Sequence, residues 1–188
     1  MLDVAEELVQ RRGFNGFSYA DVARELGITT ASLHYHFAGK EDLGKALIAR
    51  YSARFFAALG EIEASVEDST QRLRAYFNLY ADVLRKDRLC LCGMLAAEFR
   101  TLPELMQAAV ISFFETNEKW LAKVLDAGRE QNALHFSGSP TDEARMIVGS
   151  LEGAMLVTRP LGDMRRFQAA ADQLLTSLSL SRQMAEHR

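Results

Sequence analysis

Five hydrogen-bonding side chains lie within seven consecutive positions near the start of this chain. They are Thr30, Ser32, His34, Tyr35 and His36. Their hydroxyl, phenol and imidazole groups are of moderate length, and such a surface suits the polar edges and phosphates of a DNA major groove better than it suits bulk water. These residues are therefore candidates for a binding surface.

The residues before this group predict a short helix followed by a tight turn. Ser18 can cap the start of the helix, and Asp21, three residues later, can complete a reciprocal cap. The negative charge of Asp21 also interacts favourably with the positive N-terminal end of the helix dipole. Val22 and Leu26 lie four residues apart and can be buried on one face. Gly27 can then end the helix with a left-handed backbone conformation.

A second short helix is predicted directly after the turn. Thr29 can cap it, and we expect it to run over residues 30–37 with Leu33 and Phe37 on its inner side. Lys40 would begin the next helix, where backbone N–H groups and an ammonium can together hold a phosphate. Helical hairpins with a glycine turn are common, so spacing alone also allows a hairpin with a purely structural role.

The motifs of this region occur in a characteristic order. From the N-terminus they are Arg12-Gly13-Phe14, Ser18, Ala20-Asp21-Val22-Ala23, Gly27-Ile28-Thr29, Leu33, Tyr35-His36-Phe37 and Lys40-Glu41-Asp42-Leu43. In this order they closely resemble the DNA-binding domain of the TetR family of bacterial transcriptional repressors. The resemblance implies a DNA-reading role for the second short helix.

The resemblance also implies roles for individual side chains. Base edges would be approached by Thr30, Ser32 and Tyr35. Phosphates would be held by His34, His36 and Lys40. The full set of DNA-binding candidates is Ser18, Thr29, Thr30, Ser32, His34, Tyr35, His36 and Lys40.

The whole chain has an ordinary globular composition, with 188 residues of which 48% are hydrophobic and 25% charged. This length allows one small and one larger domain, and we predict a DNA-binding domain over 1–50 and a ligand-binding and dimerisation domain over 51–188. No apolar run approaches the roughly 20 residues needed to span a bilayer. We therefore expect a cytoplasmic protein without a membrane partner.

The predicted DNA-binding domain carries little positive charge. Residues 1–50 contain six basic and seven acidic side chains, a net charge of −1, whereas nucleic-acid binders usually carry a basic patch. Members of the TetR family usually have a basic segment before the first helix, and Met1 falls where the family has a residue inside that helix. We therefore expect that the sequence as given lacks a basic arm; the alternative is a protein that binds DNA with little electrostatic help.

Hydrophobic periodicity and helix-capping signals predict an all-α chain of nine helices without a strand. Proline and glycine mark several of the helix ends, and we expect the eighth helix to end before Pro160. The predicted helices cover about 2–12, 19–26, 30–37, 41–63, 73–84, 89–99, 104–132 and 140–159, with a last helix from residue 163.

Apolar stripes on the last two helices predict a homodimer formed through a four-helix interface. An apolar stripe on a terminal helix pair is a poor surface for a monomer, and the family resemblance points the same way. Two reading helices about 34 Å apart would read a palindromic operator. The alternative is an internal antiparallel pair. The predicted interface residues are Ile147, Leu151, Ala154, Phe167, Leu174 and Leu178.

Aromatic and sulfur side chains in the larger domain predict an apolar cavity for a small-molecule inducer. Asn117 is the one polar residue on the inner face of the longest helix, and a buried amide or the indole N–H of Trp120 needs a partner. A plain hydrophobic core is the alternative interpretation of most of these residues. The ligand-binding candidates are Phe77, Tyr80, Cys92, Phe113, Asn117, Trp120 and Met155.

Cys90 and Cys92 are a possible thiol sensor. They fall at a predicted helix start after several basic residues, and both features favour the thiolate. Some relatives of the family are thought to respond to electrophiles or oxidants through a cysteine in this region. The alternative is that both are small buried hydrophobic residues, and their spacing suits neither a disulfide framework nor a metal site.

Catalytic motifs are missing from the sequence. It contains no phosphate-cradling glycine loop, no nucleophile elbow and no helical His-Glu-x-x-His motif. We expect a regulator without a cofactor that is not an enzyme. A helical ligand carrier or thiol enzyme that does not bind DNA is the alternative from another class.

Overall fold

The computed structural model describes residues 1–179, and the end of the predicted second domain, residues 180–188, lies outside the described residues. Within 1–179 the chain forms nine α-helices, a short 3-10 turn at Phe99–Thr101 and no strand, which confirms the all-α prediction. The helices are α1 (Leu2–Arg12), α2 (Tyr19–Leu26), α3 (Thr30–His36), α4 (Lys40–Ser65), α5 (Ser69–Arg85), α6 (Leu91–Ala97), α7 (Glu104–Glu130), α8 (Pro140–Leu161) and α9 (Met164–Ser179). No helix among the described residues is long and apolar enough to cross a membrane.

Helix α2 begins and ends, and helix α3 begins, where their capping residues predict; α3 ends at His36, one residue before the predicted end. The backbone N–H of Asp21 donates to the Ser18 hydroxyl, and the Ser18 N–H donates back to the Asp21 carboxylate at 2.8 Å. Gly27 ends α2 in the left-handed region at φ 65° and ψ 31°. The Thr29 hydroxyl accepts the N–H of Ser32 and so starts α3.

The described chain divides into two compact units. Unit 1 contains Met1–Phe55 and Arg88–Phe114, and unit 2 contains Phe56–Asp87 and the described residues from 115 onward. Helix α6 and the first part of α7 therefore belong to the same unit as α1, α2 and α3. This division differs from the boundary near residue 50 predicted from the sequence.

In unit 1, a buried apolar core fixes the position of α3. Leu33 is the inward residue of α3 and is fully buried, as are Val22 of α2 and Leu43 of α4. Full burial of one leucine side chain contributes about 1.5–3 kcal/mol. The short helix α3 is thus held by its inner face, which leaves its outer face available for contact.

In unit 2, α8 packs against α9, and both pack against α5. The core of this three-helix group includes Leu73, Ile147 and Phe167, all of which are almost completely buried. Helix α8 continues through Pro160 to Leu161, so the predicted end before Pro160 is wrong. A proline in the last turn removes only one backbone hydrogen bond near a frayed end.

Candidate nucleic-acid interface and effector region

The outer face of α3 carries the polar side chains that the sequence singled out. Tyr35 is 87% exposed, and its ring lies 5.2 Å from that of His36 in an edge-on arrangement. Thr30 and His34 are also exposed, and Ser32 is half-buried. The structure therefore places these five groups on the accessible part of one short helix. Such a surface can offer hydrogen bonds to base edges and phosphates.

Two of the predicted DNA-binding residues are occupied in caps. The Ser18 hydroxyl donates to the Asp21 carboxylate at 2.7 Å, and the Thr29 hydroxyl lies 3.1 Å from that of Ser32. Hydrogen bonds from the Ser18 side chain and backbone, followed by one from Arg24, hold the pKa of Asp21 well below its usual value. The first role of both caps is to hold the helix starts in place.

Lys40 makes contacts that differ from those expected of a phosphate clamp. Its ammonium donates to the backbone carbonyl oxygens of Phe14, at 2.5 Å, and Phe17. It also lies 4.7 Å and 4.3 Å from the centroids of those two aromatic rings. Partial burial lowers its pKa. The ammonium is thus directed to the segment between α1 and α2, and this geometry gives no support to a phosphate contact.

Tyr19 holds the end of α3 and was missed in the sequence analysis. Its hydroxyl donates to the carbonyl oxygen of Phe37 at 3.0 Å, and its ring packs 4.7 Å from the imidazole of His34. The His34 Nδ1 lies 3.3 Å from the carbonyl oxygen of Ala38. His34 is therefore oriented by α2 and by its own helix end. The only sequence signal for Tyr19 was its place directly after the Ser18 cap.

Glu98, at the end of α6, was also missed. Its carboxylate accepts the backbone N–H of Phe14 at 2.5 Å and that of Asn15 at 3.3 Å. The Asn15 side chain donates to the Thr101 hydroxyl at 2.7 Å. Gly13 lies against the same carboxylate at φ 83°, and a Cβ there would come within 2.7 Å of Glu98 Oε1. We call this arrangement of Glu98, Gly13, Phe14 and Asn15 the Glu98 clamp.

The charge of unit 1 is more balanced than the N-terminal residues suggest. Its two segments contain nine basic and nine acidic side chains. Glu6 is 6% exposed and pairs with Arg50 at 3.1 Å and Arg54 at 2.5 Å, and Glu7 pairs with Arg88. Arg54 and Arg88 lie beyond residue 50, so the sequence count omitted them. Paired acids of α1 repel a DNA phosphate less than free ones.

The predicted ligand-binding residues fall in both units. Phe77, Tyr80, Asn117 and Met155 are buried in unit 2, where Trp120 is half-buried. In unit 2 the structure brings Tyr80 and Asn117 together, with the Asn117 Nδ2 donating to the Tyr80 hydroxyl at 3.0 Å. The remaining candidates, Cys92 and Phe113, are buried in unit 1.

Both cysteines lie at the start of α6, as predicted, and both are buried. Cys90 is the N-cap residue, and its sulfur accepts the N–H of Gly93 at 3.4 Å. The Tyr51 hydroxyl donates to the same sulfur at 3.5 Å. Cys90 and Cys92 are 2% and 0% exposed, so the buried hydrophobic interpretation holds for the state described here.

Most of the predicted dimer-interface residues are inside the protomer. Ile147, Leu151, Phe167 and Leu178 are at most 1% exposed because α8 and α9 pack against each other and against α5. A side chain without exposed surface cannot contact a second protomer, so the prediction was wrong for these four. The other two, Ala154 and Leu174, are half-buried.

Helix α8 has a second apolar side that faces solvent in the protomer. Its exposed residues include Leu156, at 51%, and Val157, at 59%. Gly149 and Gly153 lie on the same helix one turn apart, and a Cβ at either would meet no atom within 4 Å. The glycines are therefore not required by packing within the protomer. We call Met146, Gly149, Gly153, Leu156, Val157 and Leu161 the outer face of α8.

Comparison with known proteins decides the family. A family model described as "Bacterial regulatory proteins, tetR family" matches residues 1–47, and one described as "Tetracyclin repressor-like, C-terminal domain" matches residues 69–174. The chain belongs to the TetR family.

Relatives in the TetR family cover almost the whole chain. The HTH-type transcriptional repressor NemR of Escherichia coli K12 is 28% identical over 160 residues, which cover 83% of this chain and 80% of NemR. The crystal structure of a TetR-family transcriptional regulator from Agrobacterium tumefaciens is 33% identical, with a TM-score of 0.91 and 95% of each chain covered. The reduced form of E. coli NemR superposes with a TM-score of 0.80 at 25% identity, over 94% of each chain.

Membership of the TetR family makes this chain a DNA-binding transcriptional regulator and not an enzyme. The carrier or thiol-enzyme alternative finds no support in these relatives. The family assignment also agrees with the resemblance noted in the N-terminal motifs.

Proposed function

We propose that this TetR-family regulator is a repressor that binds a palindromic operator as a homodimer and is released by a small molecule bound in unit 2. One observation carries the DNA-binding part of the proposal. Tyr35 is 87% exposed on a helix whose opposite residue, Leu33, is completely buried. The phenol ring of Tyr35 is therefore not used in the core of unit 1 and is available to contact a base edge.

Within this proposal the side chains of α3 contact two different parts of the DNA. Thr30, Ser32 and Tyr35 approach base edges, and His34 and His36 contact phosphates. Ser18 and Thr29 act first as caps that fix where the helices start. Lys40 positions the segment between α1 and α2 through the carbonyl groups of Phe14 and Phe17.

A homodimer through the outer face of α8 completes the proposal. Small residues allow two helices to approach closely, and Gly149 and Gly153 provide such positions without a role inside the protomer. Leu156 and Val157 supply exposed apolar area on the same face. Two-fold symmetry would then place two copies of α3 on successive turns of a palindrome.

Selection of bound duplexes from a random DNA pool tests the function. The full chain, with any native N-terminal extension, is used at two salt concentrations, and Tyr35→Ala is selected in parallel. Enrichment of a palindrome by the wild type and its loss in the variant are expected. If the wild type enriches no sequence at low salt, operator binding is disproved. If both proteins enrich the same palindrome equally, α3 does not read it through Tyr35.

Thiol modification is a second candidate for the release signal, favoured by the contacts of Cys90. Its sulfur accepts hydrogen bonds from the Gly93 N–H and the Tyr51 hydroxyl, and hydrogen bonds of this kind stabilise a sulfur anion more than a neutral thiol. The relative NemR has been solved in a form described as reduced. Treatment with N-ethylmaleimide should release the selected operator from the wild type and from Cys92→Ser, but not from Cys90→Ser. Equal release from all three proteins would exclude Cys90.

A further inference from the structure

Two buried polar atoms of α7 have no hydrogen-bond partner among the described residues. They are Asn117 Oδ1 and Trp120 Nε1. Asn117 is completely buried. Because the two residues are three positions apart on one helix, their side chains occupy neighbouring positions on the same face. Buried polar groups are nearly always satisfied in folded proteins, so a pair left open on one face requires an explanation.

The surroundings of the pair define which hydrogen bonds are still available. The Nδ2 of Asn117 already donates to the Tyr80 hydroxyl at 3.0 Å, and that hydroxyl lies 3.1 Å from the Tyr76 hydroxyl. The Tyr76 ring packs 5.6 Å from the Trp120 ring. The open atoms are therefore one acceptor, the amide oxygen, and one donor, the indole N–H. The two open atoms belong to an amide and an indole, neither of which carries a charge.

We propose that this cluster, Tyr76, Tyr80, Asn117 and Trp120, binds a neutral, planar, mostly apolar molecule that carries a hydrogen-bond donor beside an acceptor, as a primary carboxamide on an aromatic ring does. The ligand N–H donates to Asn117 Oδ1, and the ligand carbonyl accepts from Trp120 Nε1–H. This inference rests on the proposed function, because it names the chemical class of the inducer of unit 2.

The same geometry excludes close analogues of the ligand. A carboxylate would place a charged acceptor against the amide oxygen of Asn117 and would lose its hydration without a cation to pair with. A hydrocarbon of the same shape would offer neither open atom a hydrogen bond. The site therefore distinguishes molecules of nearly equal size by their hydrogen-bonding groups.

Titration with three matched probes tests the proposal in the absence of DNA. The sequence contains one tryptophan, so the intrinsic fluorescence of the full chain reports on Trp120 itself. Benzamide should change the emission and bind about tenfold or more tightly than toluene or benzoate, since one or two hydrogen bonds are at stake. Equal affinities for the three probes would overturn the proposal. It would also be overturned if none of the probes binds, a result that would assign the two open atoms to bound water.

Variants locate the preference. Asn117→Leu should reduce the preference for benzamide over toluene, because only the hydrogen bond from Trp120 Nε1 remains, whereas Asn78→Leu, a change at an exposed asparagine of α5, should keep the wild-type preference. Trp120→Phe provides a second variant if Asn117→Leu does not fold. Because this variant lacks the fluorescent indole, its probe binding is measured by the shift in melting temperature. The full wild-type preference for benzamide, retained in either folded site variant, would contradict the assignment.

The effect on DNA is measured separately with the selected operator. Benzamide could bind with the expected preference and leave operator binding unchanged. This result would support the binding site but would contradict the proposal that a ligand in this site releases the DNA. Failure to select any operator, combined with the expected probe preference, contradicts the proposed function and still supports the site.

Discussion

At the scale of single residues, Tyr35 provides the sharpest test of DNA reading. Because its side chain is 87% exposed, Tyr35→Ala should leave the free energy of unfolding almost unchanged. It should weaken binding to the selected operator by about 1–3 kcal/mol and relax the preference at one base position. Fluorescence anisotropy with the operator and its single-base variants gives both quantities.

The matched control for Tyr35 is Leu33→Ala on the opposite side of α3. Leu33 is fully buried, so this change should cost about 2–5 kcal/mol of stability. The two substitutions therefore separate binding from folding on one short helix. If Tyr35→Ala binds all operator variants as the wild type does, another surface reads the DNA.

Asp21 makes a pH-dependent contribution to stability. Its native pKa lies below the usual 3.8 because Ser18 and Arg24 hydrogen-bond its carboxylate. The unfolded chain therefore takes up this proton first, so the contribution is complete above the usual pKa and is lost as the pH falls through the native one. Asp21→Asn should flatten the acid part of the stability curve, measured by urea unfolding from neutral pH to about pH 3.

A second variant checks the cause of that flattening. Ser18→Ala removes the largest source of the shift, so it should return the pKa of Asp21 toward its usual value and flatten the same part of the curve. If the free energy of unfolding of either variant falls with decreasing pH as steeply as that of the wild type, the pH dependence comes from other carboxylates.

Residue types and their spacing predicted some side-chain roles and not others. Ser18, Asp21 and Thr29 make local hydrogen bonds, and their partners lie three residues away, so the sequence contains the whole interaction. Lys40 instead contacts carbonyl groups of Phe14 and Phe17, more than twenty positions earlier. A long, flexible side chain near a helix start can reach a phosphate or a carbonyl, and only the tertiary fold selects between them.

At the scale of elements, the Glu98 clamp connects α6 with the turn that precedes α2. Glu98→Gln replaces charge-assisted hydrogen bonds to two backbone N–H groups with weaker ones. We expect a loss of about 1–3 kcal/mol in the free energy of unfolding. Operator affinity should also fall, because the segment before α2 is less well fixed. Chemical denaturation and anisotropy measure the two effects.

The exposed Glu25 of α2 is the control for the clamp. Glu25→Gln removes the same charge from unit 1 without changing the turn at Phe14. Improved DNA binding in both variants would show that negative charge, and not the clamp, dominates. An unchanged free energy of unfolding in Glu98→Gln would mean that the turn at Phe14 is stable without the Glu98 carboxylate.

Two helix starts that a serine or threonine caps were predicted to the residue, whereas the start of α5 was predicted four residues too late. The caps at Ser18 and Thr29 are short-range hydrogen bonds, and the sequence shows them as a Ser or Thr before an apolar pattern. The end of α8 was placed two residues too early because Pro160 disfavours helix on average. In the structure, Gly162 with φ 62° ends this helix, and the cost of one lost hydrogen bond is small near the end.

At the scale of the whole molecule, the composition of the two units could not be predicted from chain order. Unit 1 takes in Arg88–Phe114, which follows a helix belonging to unit 2. The contacts that join this segment to the N-terminal helices, such as Glu98 with Phe14, span 84 positions. Periodicity reports which face of a helix is apolar, but not which neighbour covers it.

The outer face of α8 illustrates the same limit. Ile147 and Leu151 belong to the apolar stripe that the periodicity identifies, and the structure buries both in the core of the protomer. The side available for a second copy is the weaker stripe that contains Gly149, Gly153 and Val157. Its glycines are informative only once the structure shows that nothing within the protomer approaches them.

Gly153→Leu tests the dimer without disturbing the protomer. A Cβ at this position meets no atom within 4 Å, and leucine favours a helix over glycine by up to about 1 kcal/mol, so the protomer should fold at least as well. A bulky side chain should nevertheless block the close approach of a second α8. We expect a monomer in sedimentation equilibrium and a loss of affinity for the palindrome, while a single half-site is bound as before.

Gly60→Leu is the matched control, because Gly60 is an exposed glycine of α4 that also has no atom within 4 Å of its Cβ position. This variant should remain a dimer with wild-type affinity for the palindrome. The pair of substitutions thus compares equal changes in side-chain size and helix propensity on two surfaces. A dimeric Gly153→Leu protein with full operator affinity would move the interface away from the outer face of α8, because two leucines cannot occupy a contact built around glycine.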